Sequence, residues 1–283
     1  MSKIIVKDLS KNFGKVNALK NVSFEFEENK IYGLLGRNGA GKSTLLNIMT
    51  NKLFPTNGEV YVDGENVCEN DKVLSKIYCM MEKNLYLDGI KVKEVFKWSK
   101  VFYPDFDVEY SLTLADKFGL KINKKVKELS TGYSSIFKII IALSCNAPII
   151  LLDEPVLGLD ANHRDLFYKE LIANYSERPR TIVISTHLIE EVADIIEKVI
   201  IIKDGELIMN DSIENVLSRG YAISGVASKI DEFIENKQVI GVDTLGGLKT
   251  AYVVGSLDKS TVPNDLEISK LDLQKLFIQL TNA

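Results

Sequence analysis

The chain has 283 residues, of which 46% are hydrophobic and 26% charged, with 18 Gly and 6 Pro; this near-average composition excludes collagen-like, low-complexity and wholly disordered readings. Its 35 Lys+Arg against 39 Asp+Glu leave a net charge of −4, without the basic footprint of a dedicated nucleic-acid binder, so no nucleic-acid partner is expected. No run approaches the ~18 apolar residues of a membrane span, and the opening MSKIIVKDLS lacks a basic-then-apolar leader shape.

In chain order, residues 3–9 and 22–28 alternate apolar and polar positions, as half-buried strands do, with the turn-rich Asn12-Phe13-Gly14-Lys15 between them. Residues 31–35 form a short apolar strand that runs into a glycine loop and then a helix over 42–49. Asn57-Gly58 and Asp63-Gly64 bracket a strand at 59–62, which gives the first 70 residues an antiparallel flavour. From about 84 to 146 the pattern is helical, with Val95, Trp98 and Phe102, then Leu112, Leu114 and Phe118, at helical intervals. Phe102-Tyr103-Pro104-Asp105-Phe106-Asp107 reads as core of that helical region, with contact to a membrane partner as the alternative. Continuous apolar runs at 149–152 and 181–184 predict buried parallel strands, joined by an amphipathic helix around 163–175. A helix over 189–196 leads to a strand at 199–202, and Asp204-Gly205 turns it back into 206–209. The main domain is expected to span 1–210 and a small α+β appendix 211–283. Cys68, Cys79 and Cys145 show no CxxC spacing and read as buried free thiols rather than a disulfide framework.

The strongest chemical signal is Gly36-Arg37-Asn38-Gly39-Ala40-Gly41-Lys42-Ser43-Thr44, a G-x-x-x-x-G-K-[ST] sequence between a predicted strand and a predicted helix. Glycines at Gly36, Gly39 and Gly41 let main-chain N–H groups, including those around Asn38 and Ala40, curl toward phosphate oxygens, and the helix start adds its positive end. Lys42 is expected to bridge the β and γ phosphates of ATP, and Ser43 to ligate Mg²⁺. A second signal is the apolar strand ending in Asp153-Glu154: Asp153 is placed to hold Mg²⁺ through its water shell, and Glu154 to polarise the attacking water.

With these motifs in hand, the sequence resembles the ATP-binding subunits of ABC transporters. Leu129-Ser130-Thr131-Gly132-Tyr133 is similar to that family's LSGGQ signature, Leu157-Gly158-Leu159-Asp160 to its D-loop, and His187 to its switch histidine, all in the family's order over residues 1–210. The resemblance implies an α/β fold, a P-loop NTPase of the ABC ATPase type. Its parts are a RecA-like core, an antiparallel β subdomain and a helical subdomain at about 84–146 that docks on membrane subunits. It implies that Phe13 stacks on adenine and that His187 senses the γ phosphate. Ser130, Gly132 and Asp160 would act on nucleotide held by a second ATP-binding subunit, identical or not. It also implies separate transmembrane permease subunits and a place at the cytoplasmic face of the membrane.

Three departures stand out. Glu82 occupies the place of a glutamine that the family offers to Mg²⁺, Thr131 and Tyr133 alter the signature, and the basic residue expected after it is absent from 134–137. Glutamate at that position, and the closing helical segment at 271–280, resemble exporters of the ABC-2 type, and the string at 102–107 resembles the small YtrB-like exporter ATPases. An exporter motor is therefore expected, with peptide or drug cargo by analogy only. The competing expectations are a soluble ATPase that remodels nucleic acid or ribosomes, and a regulatory subunit with little turnover.

Overall fold

Alternating burial along the first strands builds a hairpin of β1 (Ile4–Phe13) and β2 (Val16–Phe26), in which Ile4, Val6 and Leu9 face the core and Lys7 and Asp8 face solvent. The computed structural model describes residues 3–83, 86–87, 89–257, 262–263 and 265–282. The hairpin is longer than the alternation predicts. Phe13 pairs with Val16 and the reversal is confined to Gly14-Lys15, where Gly14 adopts a left-handed φ of 57°, so strand pairing absorbs Asn12 and Phe13. β4 (Asn57–Val62) and β5 (Glu65–Asn66) complete an antiparallel sheet of order β2-β1-β4-β5.

β3 (Ile31–Leu35) leads into α1 (Lys42–Met49), and both match their sequence expectation. After the short α2 (Asp71–Leu74) comes β6 (Ile77–Met80), followed by α3 (Val92–Phe102), α4 (Val108–Lys117), a 3₁₀ turn at Val126–Glu128 and α5 (Thr131–Ser144). Then β7 (Ile149–Asp153), α6 (Ala161–Glu177), β8 (Thr181–Thr186), α7 (Ile189–Val192), β9 (Lys198–Lys203) and β10 (Glu206–Ser212) close the second sheet, of order β10-β9-β3-β8-β7-β6. Its strands are parallel except for β10, which the Asp204-Gly205 turn folds back on β9. Because side chains alternate across a strand, Leu35, Leu152 and Ile184 enter the core beneath α3–α6. Leu34, Leu151 and Val183 enter the opposite core, against α1 and the antiparallel sheet.

Three expectations are corrected. The helix over 189–196 shrinks to one turn, α7, with residues 193–195 forming a turn before β9. Phe106 is buried and Tyr103 packs against Tyr78 at 5.5 Å, as a core segment should, but Phe102 is 72% exposed. Cys145 is buried and Cys79 nearly so, and burial pushes both thiols up to about 12; Cys68, in the loop after β5, is exposed.

The remaining residues form α8 (Ile213–Arg219), β11 (Gly220–Val226), α9 (Ala227–Ile234), β12 (Val239–Leu245), β13 (Leu248–Val254), β14 (Glu267–Lys270) and α10 (Leu273–Asn282). The strands make an antiparallel sheet of order β12-β13-β11-β14, with α9 on one face over Ile223, Ala251 and Val253. The other face turns inward. Ala222, Tyr252, Leu276 and Phe277 belong to the same buried cluster as Leu152 and Ile184, and Arg37 Nη1 donates to Asn282 Oδ1 at 3.4 Å. The C-terminal segment therefore shares a core with the rest of the chain. Leu276→Ala, at a position with no exposure, is expected to cost about 2–5 kcal/mol and to lower the midpoint of a single urea transition followed by circular dichroism. Two separate transitions, only one of them moved, would contradict the shared core.

Candidate active site

The parallel register decides where the site lies. Leu35 pairs with Thr186 and Asp153 with Ser185, so the C-terminal ends of β3, β7 and β8 stand side by side, and the loops leaving them meet at one edge of the sheet, where ligands bind in open α/β folds. β3 delivers residues 36–44, β7 delivers Asp153-Glu154, and β8 delivers Thr186-His187.

Residues 36–44 wrap a cavity of about 220 Å³ lined by Asn38, Gly39, Ala40, Gly41, Lys42, Ser43 and Thr44, with Ala18, Glu82 and Glu154. Gly41, at φ 111°, caps α1 in the left-handed region, and a Cβ there would stand 2.5 Å from Ala18 O; glycine meets both demands at once. Gly36 lies against β9, where a Cβ would meet Ile202 O at 2.6 Å. Lys42 is 6% exposed. Its ammonium donates to Gly36 O at 2.6 Å and to Arg37 O at 3.4 Å, and lies 3.9 Å from Glu154 Oε1. Burial pulls its pKa down, while Glu154 and Asp153 pull the other way.

Asp153 is buried, accepts from Ser185 Oγ at 2.9 Å and is also hydrogen-bonded by the Ser43 side chain. Burial raises its pKa against those two hydrogen bonds. Glu154 has a left-handed φ of 47°, uncommon for a residue with a side chain, and its N–H donates to Ser185 O at 2.8 Å. The turn aims its carboxylate into the cavity. There Thr186 Oγ1 donates to Oε2 at 3.2 Å, and His187 Nδ1 lies 3.0 Å from Oε1. Lys42, Ser43, Asp153, Glu154 and His187 are thus brought together, with Glu82 on the facing wall.

Ser130, Gly132, Asp160 and Phe13 do not line this cavity. Ser130 caps α5, its Oγ accepting from Tyr133 N at 3.4 Å. Gly132 lies so close to the neighbouring loop that a Cβ would stand 2.7 Å from Gly158 O, and Ser135 Oγ donates to Leu157 O at 2.8 Å, so the start of α5 and that loop form one surface. Asp160 caps α6: Oδ1 accepts from His163 N at 2.9 Å, and Oδ2 lies 2.8 Å from His163 Nδ1. Phe13 is 47% exposed near the hairpin tip, with Lys11 Nζ 5.2 Å from its ring centre.

Sequence reasoning missed Ala18, Ser185, Thr186 and Lys138. Ser185 and Thr186 end a strand whose other residues are aliphatic apart from Thr181, and that polar ending was a readable signal. Lys138 was not readable. It is 6% exposed in the interior of α5 and donates to Met81 O at 3.0 Å and Glu82 O at 2.7 Å, tying the Glu82 loop to the helix that Ser130 starts.

Comparison with known proteins identifies the family. The family described as "ABC transporter" matches residues 19–157. The ABC transporter ATP-binding protein YtrB of Bacillus subtilis (strain 168) is 31% identical over 204 residues, covering 72% of this chain and 70% of that protein. The ribose import ATP-binding protein RbsA 3 of Rhizobium meliloti (strain 1021) is 30% identical over 214 residues, covering 72% of this chain and 42% of that protein. Among solved structures, the dimeric post-hydrolysis state of an ATP-binding cassette bound to ADP and Pi is 28% identical, with a TM-score of 0.66 over 74% of this chain and 98% of that one. From the glycine loop, the carboxylates that face it and these likenesses together, the chain belongs to the ATP-binding subunits of ABC transporters, and it is an ATPase.

Proposed function

We propose that this chain is the ATP-hydrolysing motor of a bacterial ABC exporter. In this reading two ATP-binding subunits, both this chain or this chain and a sister, close on two nucleotides and drive separate transmembrane permease subunits from the cytoplasmic face of the membrane. One observation carries it. Lys42, Ser43, Glu82 and Glu154 line one cavity, whereas the first turn of α5 at Gly132 and the loop of Gly158 pack on each other outside it, so in this reading each chain offers two half-sites that a partner completes. No described helix is long and apolar enough to cross a membrane; in this reading the permease subunits supply the span.

Main-chain N–H groups of residues 38–44 and the Lys42 ammonium receive the phosphates, while Phe13 stacks on adenine. Ser43, Asp153 and Glu82 would hold Mg²⁺, which would supply positive charge to offset the negative charge of the phosphates. The fit rests on the donors: an alcohol and carboxylates are hard oxygen ligands, and Mg²⁺ takes few from protein and the rest from phosphate and water. Among the described residues no group of three or more His, Cys, Asp or Glu forms a dedicated metal cage. Thr186 and His187 orient Glu154, which accepts the proton of the attacking water as its oxygen bonds the γ phosphorus and the bond to the β-phosphate oxygen breaks. Ser130, Gly132 and Asp160 of the partner subunit enclose the same γ phosphate. A bound phosphate therefore favours the closed pair, and its loss after hydrolysis removes that differential binding.

A groove of about 320 Å³ beside the Glu82 loop, lined among others by Lys52, Tyr78, Tyr86, Tyr103 and Lys138, is the proposed seat for a permease segment. Since Lys138 bonds the carbonyls of Met81 and Glu82, pressure there is passed both to the Mg²⁺ side and to the signature helix. Similarity to YtrB and the glutamate at Glu82 support export; the import proteins among the relatives make direction a matter for experiment, and the cargo, peptide or drug, rests on analogy. A regulatory subunit of low turnover is the second reading, favoured by Thr131 and by Tyr133, whose ring leans on His163 of its own chain at 6.1 Å.

Lys42→Ala is expected to lose most ATP affinity, measured with a fluorescent nucleotide, because among the described residues no other cation lines the cavity. Glu154→Gln should still bind ATP but hydrolyse it roughly 10²- to 10⁴-fold more slowly, and it should elute as a dimer on gel filtration with ATP and Mg²⁺. Equal, negligible turnover by wild type and Glu154→Gln with the permease present would favour the regulatory reading over the motor.

A further inference from the structure

The outer face of α3 does not serve the ATP site. At 100° per residue, Val92, Val95, Phe96 and Ser99 form its buried stripe. Val101 points directly away from that stripe, Trp98 and Phe102 lie on one side of it, and Lys93, Lys97 and Lys100 lie on the other. The apolar side is bare: Trp98 is 54% exposed, Val101 78% and Phe102 72%. Residues 121–128 are tied to the start of the same helix, Val92 N donating to Lys124 O at 3.1 Å and Lys93 N to Ile122 O at 3.0 Å. They place Lys121, Lys124, Lys125 and Lys127 beside it, all exposed.

Residues 91–102 and 121–128 together hold eight lysines against two glutamates, a local charge of +6 in a chain of net −4. Among the described residues none of these eight ammonium groups enters an ion pair. Glu94 and Glu128 are taken up locally, accepting from Lys91 N at 3.1 Å and Lys125 N at 3.0 Å. A row of unpaired lysines beside a bare Trp–Val–Phe side is the arrangement by which a helix lies along a lipid headgroup layer: the apolar side enters the acyl boundary and the cations meet anionic headgroups. Tryptophan favours that boundary. A protein partner is less favoured by the composition, because protein interfaces are depleted in Lys and enriched in Arg, and neither segment contains an Arg.

We propose that the outer face of α3, with the lysines of residues 121–128, binds the surface of an anionic lipid bilayer directly and independently of nucleotide. The contact is a property of this chain alone, so it stands or falls separately from ATP hydrolysis and from the permease.

Trp98 is the only tryptophan in the chain, so its emission reports on this face. With full-length protein and vesicles of 70% phosphatidylcholine and 30% phosphatidylserine, the emission should shift to the blue and become shielded from acrylamide, and the protein should float with the vesicles. Pure phosphatidylcholine should produce neither. The triple variant Lys97→Gln, Lys100→Gln, Lys124→Gln should weaken flotation on the order of 10²-fold, from roughly 1 kcal/mol per lysine near the surface, and Trp98→Ala with Phe102→Ala should weaken it further. Both variants should retain wild-type ATP turnover, which also checks that they fold. The proposal is overturned if wild type ignores the anionic vesicles, or if it binds them and the two variants bind equally well. It is likewise overturned if vesicles are ignored while a labelled oligonucleotide or the purified permease binds wild type and not the variants, since the face would then belong to that partner.

Discussion

Everything at the active edge depends on one buried ammonium. Lys42 is itself buried at the edge of the phosphate-loop cavity, bonded to Gly36 O and facing Glu154, where burial works against its charge. A cation in that position is held by main-chain dipoles and a carboxylate and has room for an anion with many acceptor oxygens. The surrounding geometry follows from that need. Gly36 and Gly41 allow the loop to press against β9 and β2, and the left-handed turn at Glu154 brings a carboxylate to the same cavity. The parallel register of β3, β7 and β8 supplies the frame that keeps these loops adjacent.

The second organising feature is separation. The first turn of α5, with Gly132, and the loop of Gly158 are joined by close backbone approach and by the Ser135–Leu157 hydrogen bond, outside the cavity that residues 36–44 wrap. Lys138 reaches from the interior of the signature helix to the carbonyls of Met81 and Glu82. Lys138 is thus turned inward, where it ties α5 to the segment of Met81 and Glu82 instead of facing solvent.

The C-terminal segment is built into this frame. Its inner face joins the core beneath the parallel sheet, and its last helix reaches Arg37 of the phosphate loop. Arg37 and α10 thus meet although they are 245 residues apart in sequence.

Local rules made much of this legible in the sequence. The strand at 31–35 and the helix at 42–49 follow from a short apolar run, a glycine loop and a helix start. Asp153-Glu154 shows because two acids end an aliphatic strand. Each of these signals lies within about ten consecutive residues and needs no knowledge of distant partners. The tertiary structure decided what such patterns cannot encode. Helical spacing groups Trp98 and Phe102 with Val95 but does not say which side of the helix meets the core, and packing turned the two aromatics outward. The polar ends of β8 become partners of Asp153 and Glu154 only once the strands are in register. Whether Lys138 is a surface charge or an internal strut depends on two carbonyls 56 and 57 residues earlier in the chain, a relation that exists only after the chain has folded.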